Sequence, residues 1–274
     1  MTGTGESTAA VLSLIGEGLA GSRARPLIVG ICGAQGIGKS TLAQDVTSVC
    51  AGRGIGCAVL SLDDIYLTRA ERRGLAMRVH PLLATRGPPG THDIALGLNT
   101  LTALRRGEAT ALPRFDKARD DRAPANEWPL APRPCDVLLF EGWCVGAQPQ
   151  PEKALLAPVN GREAAEDPQG IWRRYCNDAL AGEYRTLFAA VDRLVLLAAP
   201  GFEAVYDWRL EQERKLRESR PDGNTAGIMD AQGVARFIRL YERLTRHILD
   251  EMPARAHLVI ALDKDRHVTG ITRR

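Results

Sequence analysis

A glycine-rich run near the N-terminus, residues 33–40, has the spacing of a phosphate-binding loop. Its sequence, GAQGIGKS, fits the pattern G-x-x-x-x-G-K-[ST] at every fixed position. In such a loop the backbone turns successive N–H groups inward, and the N-terminus of the following helix adds partial positive charge. The pattern predicts that Lys39 reaches the β- and γ-phosphates of a nucleoside triphosphate and that Ser40 binds Mg²⁺. The predicted nucleotide contacts are Gly33, Ala34, Gln35, Gly36, Ile37, Gly38, Lys39, Ser40 and Thr41.

Three carboxylates directly follow buried, strand-like segments: Asp63, Asp64 and Glu141. Ligands of open parallel sheets bind at the carboxyl ends of the strands. Phosphoryl transfer needs a metal that bridges the β- and γ-phosphates and a carboxylate near the acceptor hydroxyl. A carboxylate after a strand can also merely cap the next helix. For Asp64 both interpretations stay open, whereas the neighbouring phosphate loop favours the functional one for Asp63 and Glu141.

Two long loops carry basic and polar side chains that suit a small anionic ligand. Guanidinium groups pair well with carboxylates and phosphates. Each basic residue taken alone is typical of a solvated loop, but together they predict an acceptor pocket. The candidates in residues 85–93 and 113–122 are Arg86, His92, Asp93, Arg114, Lys117, Arg119 and Arg122.

A charged segment after the fourth predicted strand carries Arg209, Arg214 and Arg217. Arginines there suit the transferring phosphoryl group, although the segment is equally typical of an exposed helix with pairs such as Glu213–Arg217. The tryptophans are interpreted as packing residues.

The composition is that of an ordinary globular chain of 274 residues with ample core, 45% hydrophobic and 25% charged. A net charge of +3 with scattered basic residues does not favour nucleic acid as a partner. The six cysteines lack C-x-x-C spacing, which favours buried thiols in a reducing compartment over zinc or redox motifs. Without a signal-like N-terminus or a membrane-length apolar run, the chain is predicted to be cytoplasmic, with no membrane partner.

Strand-like and helix-like segments alternate along the chain, which predicts an α/β fold with a parallel sheet covered on both faces. The predicted strands are residues 27–32, 57–62, 135–140, 193–198 and 257–262. The predicted helices are residues 7–19, 41–50, 94–106, 171–190, 202–220 and 231–251. Residues 79–93, 111–134 and 148–170 are predicted loops, and no linker divides the chain.

Eight sequence segments, in this order, resemble those of the D-glycerate 3-kinase family, within the larger group of uridine kinase, phosphoribulokinase and pantothenate kinase. The phosphate loop is generic, LDDIY marks the larger group, and the third and seventh segments point to the glycerate kinase branch. The segments are residues 33–41, LDDIY (62–66), RGPPGTHD (86–93), LPRFDK (112–117), DR (121–122), WP (128–129), FEGW (140–143) and WRxxQE (208–213).

The resemblance implies a P-loop NTPase fold, namely a five-stranded parallel sheet of order 2-3-1-4-5 flanked by helices. It covers about residues 26–265 and implies a mobile lid (about 200–224) and long acceptor-side loops. Because no linker divides the chain, residues 1–274 are predicted to form a single kinase domain with an N-terminal helix extension (1–22). Catalytic roles fall on Lys39, Asp63 (in the position of the general base) and Arg209, and metal binding on Ser40, Asp63 and Glu141. Acceptor contacts fall on Asp64, Tyr66, Arg86, His92, Asp93, Lys117 and Arg122.

The expected reaction is transfer of the γ-phosphoryl group from ATP, with Mg²⁺, to a small anionic acceptor, with D-glycerate the leading candidate. Phosphorylation of a nucleoside, pantothenate or a sugar phosphate stays open, although the basic loops favour an anion over a neutral nucleoside. A nucleotide-binding switch is the alternative from another class. It is disfavoured because no D-x-x-G follows a predicted strand and residues 262–265 (LDKD) place Leu262 where a guanine reader needs an amide or hydroxyl side chain. The sequence does not predict the oligomeric state.

Overall fold

A mostly parallel sheet lies at the centre of the computed structural model, which describes residues 3–21, 24–218 and 229–274. The strands in these residues are β1 Leu27–Gly33, β2 Cys57–Ser61, β3 Phe115–Asp116, β4 Asp121–Arg122, β5 Val137–Gly142, β6 Arg193–Ala198, β7 Leu258–Leu262 and β8 Val268–Arg273. The helices there are α1 Gly3–Gly21, α2 Lys39–Gly52, α3 Arg69–Arg78, α4 Ile94–Arg105, α5 Gly161–Glu166, α6 Ile171–Ala181, α7 Glu183–Phe188, α8 Phe202–Glu218 and α9 Ala231–Glu251.

The strand order in the described sheet is β2-β5-β1-β6-β7-β8, and the first five strands are parallel. Those five follow the predicted order 2-3-1-4-5. The prediction of a five-stranded sheet was wrong in one respect, because β8 adds a sixth strand antiparallel to β7. β8 is mostly exposed and has none of the apolar pattern that marks a buried strand. A two-stranded antiparallel ribbon, β3–β4, lies apart from this sheet.

The central strands of the sheet are buried on both faces, as is typical of α/β architecture. Every residue of β1 and β5 is buried. Alternate residues of β1 point to opposite faces: Ile28 packs into one apolar cluster with residues of α4, α6, α7 and α9, and Val29 into another with residues of α1 and α2. The predicted N-terminal extension therefore contributes to the core, since Val11 and Ile15 of α1 are buried in the second cluster.

Some predicted boundaries were wrong. The predicted helix 171–190 is two helices, α6 and α7, which break at Gly182. The predicted loops also contain structure: residues 111–134 hold the β3–β4 ribbon, and residues 148–170 include α5. The predicted lid spans α8 and residues 219–224, and the latter lie outside the described residues.

The α/β arrangement places the ends of β1, β2 and β5 side by side, because β5 pairs with both β1 and β2. The phosphate loop follows β1, Asp63 follows β2, and Glu141 lies within the last residues of β5. Among the described helices, none is long and apolar enough to cross a membrane.

Candidate active site

A cavity of about 570 Å³ opens at the carboxyl ends of β1, β2 and β5. It brings together the phosphate loop, the residues after β2 and β5, the two predicted acceptor loops and α8. Its walls are formed by Gln35, Gly36, Gly38, Lys39, Ser40, Thr41, Ser61, Asp63, Tyr66, Arg86, Lys117, Glu141, Gly142, Trp143, Arg209, Glu211, Gln212, Lys215, Phe237, Tyr241 and Arg266.

The phosphate loop depends on two glycines in left-handed conformations. Gly36 has φ 78° and Gly38 has φ 104°, a region that residues with a Cβ rarely adopt. A Cβ on Gly36 would also lie 2.8 Å from the Cβ of Trp208. Gly38 is the N-cap of α2 and offers no side chain to the first N–H groups of that helix. These N–H groups therefore remain available to an anion in the cavity.

The Lys39 side chain lies in the curl of this loop. Its Nζ donates a hydrogen bond to the carbonyl oxygen of Ala34 at 3.1 Å. This contact folds the ammonium back over the loop that would hold the phosphates. The residue predicted to bind the β- and γ-phosphates thus lines the cavity with its charge paired to no carboxylate in the described residues.

Ser40 and Glu141 are in direct contact at the base of the cavity. The Ser40 hydroxyl donates to Glu141 Oε1 at 3.2 Å, and Glu141 is only 6% exposed. Buried carboxylates usually have a charged or hydrogen-bonding partner. A hydroxyl and a carboxylate are the oxygen ligands that Mg²⁺ prefers, so this pair has the chemistry of a magnesium site.

Asp63 lies on the single 3₁₀ turn that ends β2, and Ser61 caps that turn by accepting a hydrogen bond from the Asp63 amide. Both carboxylate oxygens are engaged. The Tyr66 hydroxyl donates to Oδ1 and the Lys117 ammonium to Oδ2, each at 2.7 Å. Burial raises the pKa of the Asp63 carboxyl, but the charge and hydrogen bonds of Lys117 and Tyr66 outweigh burial and hold that pKa below its ordinary range.

Asp64 points away from the cavity into the acceptor-side loops. Its carboxylate accepts hydrogen bonds from Arg114 at 3.2 Å and from the Phe115 amide at 3.1 Å. Burial raises the pKa of Asp64, while Arg114 opposes that rise. These contacts fix the loop of residues 111–122 against the end of β2, and they give Asp64 a role in positioning that loop.

The predicted acceptor cations do not act as one cluster. Arg86 and Lys117 line the cavity, whereas Arg114, Arg119 and Arg122 do not. Arg119 pairs with Asp116 and its side chain is 72% exposed. Arg122 donates to Asp93 at 2.8 Å and to the carbonyl of Tyr66 at 3.2 Å. The structure therefore places Arg122 and Asp93 behind the cavity wall, where Asp93 also caps α4.

His92 packs against the Tyr66 ring and does not line the cavity. The two rings stack with centroids 4.5 Å apart, and Nδ1 of His92 lies 2.5 Å from the Tyr184 hydroxyl. Complete burial lowers the pKa of His92 to about 3. A neutral, buried histidine outside the cavity wall is a packing residue that holds the Tyr66 ring beside Asp63.

The segment from Arg86 to Asp93 is shaped by close packing against aromatic residues. Gly87 has φ 123°, and a Cβ there would lie 2.0 Å from the Tyr241 hydroxyl. The indole N–H of Trp143 donates to the carbonyl of Gly87 at 3.0 Å. Trp143 packs in the core, as predicted for the tryptophans, and it also forms part of the cavity wall.

α8 brings charged side chains to the other side of the cavity. Arg209 lines it and is held by an ion pair with the buried Glu213. The suggested Glu213–Arg217 pair is thus replaced by Arg209–Glu213, and Arg214 and Arg217 do not line the cavity. Glu211 pairs with Lys215 and Arg266, whose hydrogen bonds lower the pKa of Glu211 to about 2.

Arg266 joins three elements that are distant in sequence. It donates to the carbonyl of Gly36 at 2.7 Å, pairs with Glu211 and lies over the Trp208 ring. Its φ of 67° is unusual for a residue other than glycine. Arg266, Phe237 and Tyr241 were not predicted to line the cavity. The last two have the spacing of ordinary core positions of the amphipathic α9.

Comparison with known proteins supports the interpretation of this chain as a kinase. No family model matches the chain. The chain is 34% identical over 260 residues to a protein of Schizosaccharomyces pombe described as uncharacterized kinase mug58, and the match covers 89% of this chain and 90% of that one. It is 31% identical over 260 residues to the chloroplastic D-glycerate 3-kinase of Arabidopsis thaliana, covering 88% of this chain but only 54% of the plant protein. The chain thus spans about half the length of the plant relative.

A solved structure shows that the fold is shared with a D-glycerate 3-kinase. The D-glycerate 3-kinase of Cryptococcus neoformans var. grubii superimposes with a TM-score of 0.79 at 25% identity, and the match covers 99% of each chain. The chain belongs to the D-glycerate 3-kinase family. As a member of this family it is an ATP-dependent kinase with a P-loop. Because the plant relative is chloroplastic, the expected cytoplasmic location stays a prediction.

Proposed function

We propose that this kinase transfers the γ-phosphoryl group of ATP to the 3-hydroxyl of D-glycerate. One observation supports this acceptor most strongly: Asp63 lies beside Lys117 on the wall of the phosphate-loop cavity, which Arg86 also lines. A carboxylate that accepts a proton from a hydroxyl is thus combined with cations that attract an acid group. Two proteins similar to this chain are named D-glycerate 3-kinase, and this name supports D-glycerate as the acid and its 3-hydroxyl as the group that is phosphorylated.

In this proposal the chain's own residues divide the work of phosphoryl transfer. The backbone N–H groups of residues 33–40 and the Lys39 ammonium bind the phosphates and stabilise the charge of the transition state. Asp63 accepts a hydrogen bond from the acceptor hydroxyl and takes its proton as the oxygen attacks. Arg209, which Glu213 holds at the cavity wall, faces the transferring group from the side of α8.

Ser40 and Glu141 are the residues that we propose for Mg²⁺. Their oxygens are in contact, and Glu141 is buried with this hydroxyl as its hydrogen-bond partner among the described side chains. When bound, Mg²⁺ neutralises phosphate charge as ADP becomes the leaving group. Asp63 was predicted as a further metal ligand, and that role stays a prediction. We propose it for the acceptor, because it pairs with Lys117, a cation of the predicted acceptor loops.

The test is coupled ADP release with D-glycerate, glycerol, uridine and pantothenate in parallel. We expect turnover with D-glycerate. The kcat/KM for glycerol should be roughly 10²–10⁴-fold lower than that for D-glycerate, since glycerol lacks the carboxylate that the cations would bind. Uridine or pantothenate outperforming D-glycerate would refute the proposed acceptor and leave the kinase assignment unchanged.

A further inference from the structure

The ion pair between Lys117 and Asp63 involves the carboxylate that the proposed function assigns to the acceptor hydroxyl. The Lys117 ammonium is 2.7 Å from Asp63 Oδ2, and the Tyr66 hydroxyl is 2.7 Å from Oδ1. A general base must lie within hydrogen-bond reach of the proton that it removes. Each oxygen of Asp63 keeps a further lone pair for another donor. While the Lys117 ammonium stays on Oδ2, however, its charge favours the ionised carboxylate and so opposes transfer of the acceptor's proton to Asp63.

Lys117 is the donor that is free to move. Its side chain is 58% exposed, whereas Tyr66 is buried and stacked on His92. The backbone around Lys117 is held in place, because Asp116 accepts hydrogen bonds from the amides of Ala118 and Arg119. A lysine is a flexible point charge with three donors, and exposed ion pairs contribute little to stability. The ammonium can therefore change partner while the ribbon β3–β4 stays in place.

The other acceptor-side cations have partners that do not line the cavity. Arg86 pairs with Asp120, Arg114 with Asp64 and Arg122 with Asp93. Among the described ion pairs of these loops, Lys117–Asp63 is thus the one in which both members line the cavity. Lys117 therefore differs from Arg86, Arg114 and Arg122, whose ion pairs join the loops to residues outside the cavity.

We propose that Lys117 couples recognition of the acceptor to release of the base: the acceptor's carboxylate takes over the Lys117 ammonium, and Asp63 becomes free for the hydroxyl. For the identity of the acceptor this inference rests on the proposed function. A neutral polyol offers the ammonium no replacement for Asp63 and must compete with it. Two effects then determine specificity. The wrong acceptor meets an Asp63 that is still paired with Lys117, and the right acceptor is attracted by the Lys117 ammonium.

In the chemical step that follows, Asp63 takes the proton of the acceptor and ADP takes the electron pair of the broken bond. The acceptor hydroxyl oxygen forms a bond to the γ-phosphorus, and its proton passes to the Asp63 carboxylate. The bond between the γ-phosphorus and the β,γ-bridging oxygen breaks, and its electron pair leaves with ADP. Lys117 takes no proton in this step; it acts on Asp63 as a specificity-determining residue.

The test compares K117M with wild type and with R119M, a matched control whose exposed side chain lies in the same loop. With saturating ATP we expect K117M to lower kcat/KM for D-glycerate about 10–100-fold, because a charge-assisted contact is lost. With glycerol we expect kcat/KM to stay unchanged or to rise. Without any acceptor, K117M should release ADP faster than wild type, since Asp63 is free to accept a proton from water. R119M should match wild type in all three assays.

Equal losses of kcat/KM for D-glycerate and glycerol in K117M would show a general structural role and overturn the inference. A raised KM for ATP with every acceptor would place Lys117 on the nucleotide and overturn it as well. If wild type does not use D-glycerate, the proposed function fails, and the acceptor-free assay then decides the inference. Faster ADP release by K117M supports it, and an equal or slower rate contradicts it.

Discussion

The two sides of the cavity are built in different ways. On the nucleotide side, the contacts come from the backbone of residues 33–40 and from side chains at strand ends that pair in register in the sheet. On the acceptor side, they come from ion pairs that join loops far apart in sequence, such as Arg114 with Asp64 and Arg86 with Asp120. One side is held by the sheet, and the other by ion pairs between side chains.

This difference has a functional meaning. Phosphates are common to all nucleotides, and a rigid set of backbone N–H groups binds them without rearrangement. An acceptor must be distinguished from similar molecules, and side chains that exchange partners can make the chemistry depend on the acceptor's own charge. We therefore expect mutations on the nucleotide side to abolish catalysis and mutations on the acceptor side to separate into catalytic, specificity and stability effects.

The largest expected effect is that of Lys39→Ala on the nucleotide side. We expect turnover to fall by about 10³-fold or more, because the ammonium stabilises charge on the transferring phosphates. The melting temperature should stay close to that of wild type, since the Lys39 ammonium makes only a hydrogen bond to the Ala34 carbonyl in the described structure. Steady-state ADP release and thermal unfolding measure the two quantities. A near-wild-type rate would refute the phosphate-loop assignment.

The next effect compares the two neighbouring carboxylates on the acceptor side. Asp63→Asn should lower kcat by about 10²–10⁴-fold with little change in the KM for ATP, because an amide cannot take the acceptor's proton. Asp64→Asn should keep most of the activity of the folded enzyme and lower the free energy of unfolding by about 1–2 kcal/mol, since it weakens the contacts to Arg114 and Phe115. A crippled Asp64→Asn beside a mild Asp63→Asn would show that the two roles are reversed.

The smallest effect on catalysis is expected for Arg122→Met. Arg122 binds Asp93 and the Tyr66 carbonyl from a partly buried position behind the cavity wall. Its loss should lower the free energy of unfolding by about 1–3 kcal/mol and leave the KM for D-glycerate little changed. Arg119→Met is the control, with a change within about 0.5 kcal/mol at an exposed position. A stable Arg122→Met protein with a strongly raised KM would place Arg122 on the acceptor instead.

The sequence predicted those parts of the molecule that follow from local pattern. The five parallel strands are continuous apolar runs, and the phosphate loop has a fixed spacing that needs no tertiary information. The antiparallel β8 was missed because an exposed edge strand carries no apolar run. Gly182 was the available signal for the break between α6 and α7, since glycine is common where helices end.

The partners of the loop cations could not be predicted in the same way. Arg114 and Asp64 are 50 residues apart, and Lys117 and Asp63 are 54 apart. Nothing in local pattern selects one acidic partner over another for an arginine in a loop. Likewise Phe237 and Tyr241 fit the apolar face of α9, and only the folded chain shows that this face reaches the cavity.

The most direct test of the central claim is phosphorus NMR of the product formed from ATP, Mg²⁺ and D-glycerate, with Lys39→Ala as the control. A kinase with an acceptor bound between Lys117 and Asp63 should give ADP and a single phosphomonoester, 3-phosphoglycerate, and the Lys39→Ala sample should give almost none. Formation of ADP with inorganic phosphate alone would contradict the account, because it is the result of a nucleotide-hydrolysing switch that transfers nothing to the acid.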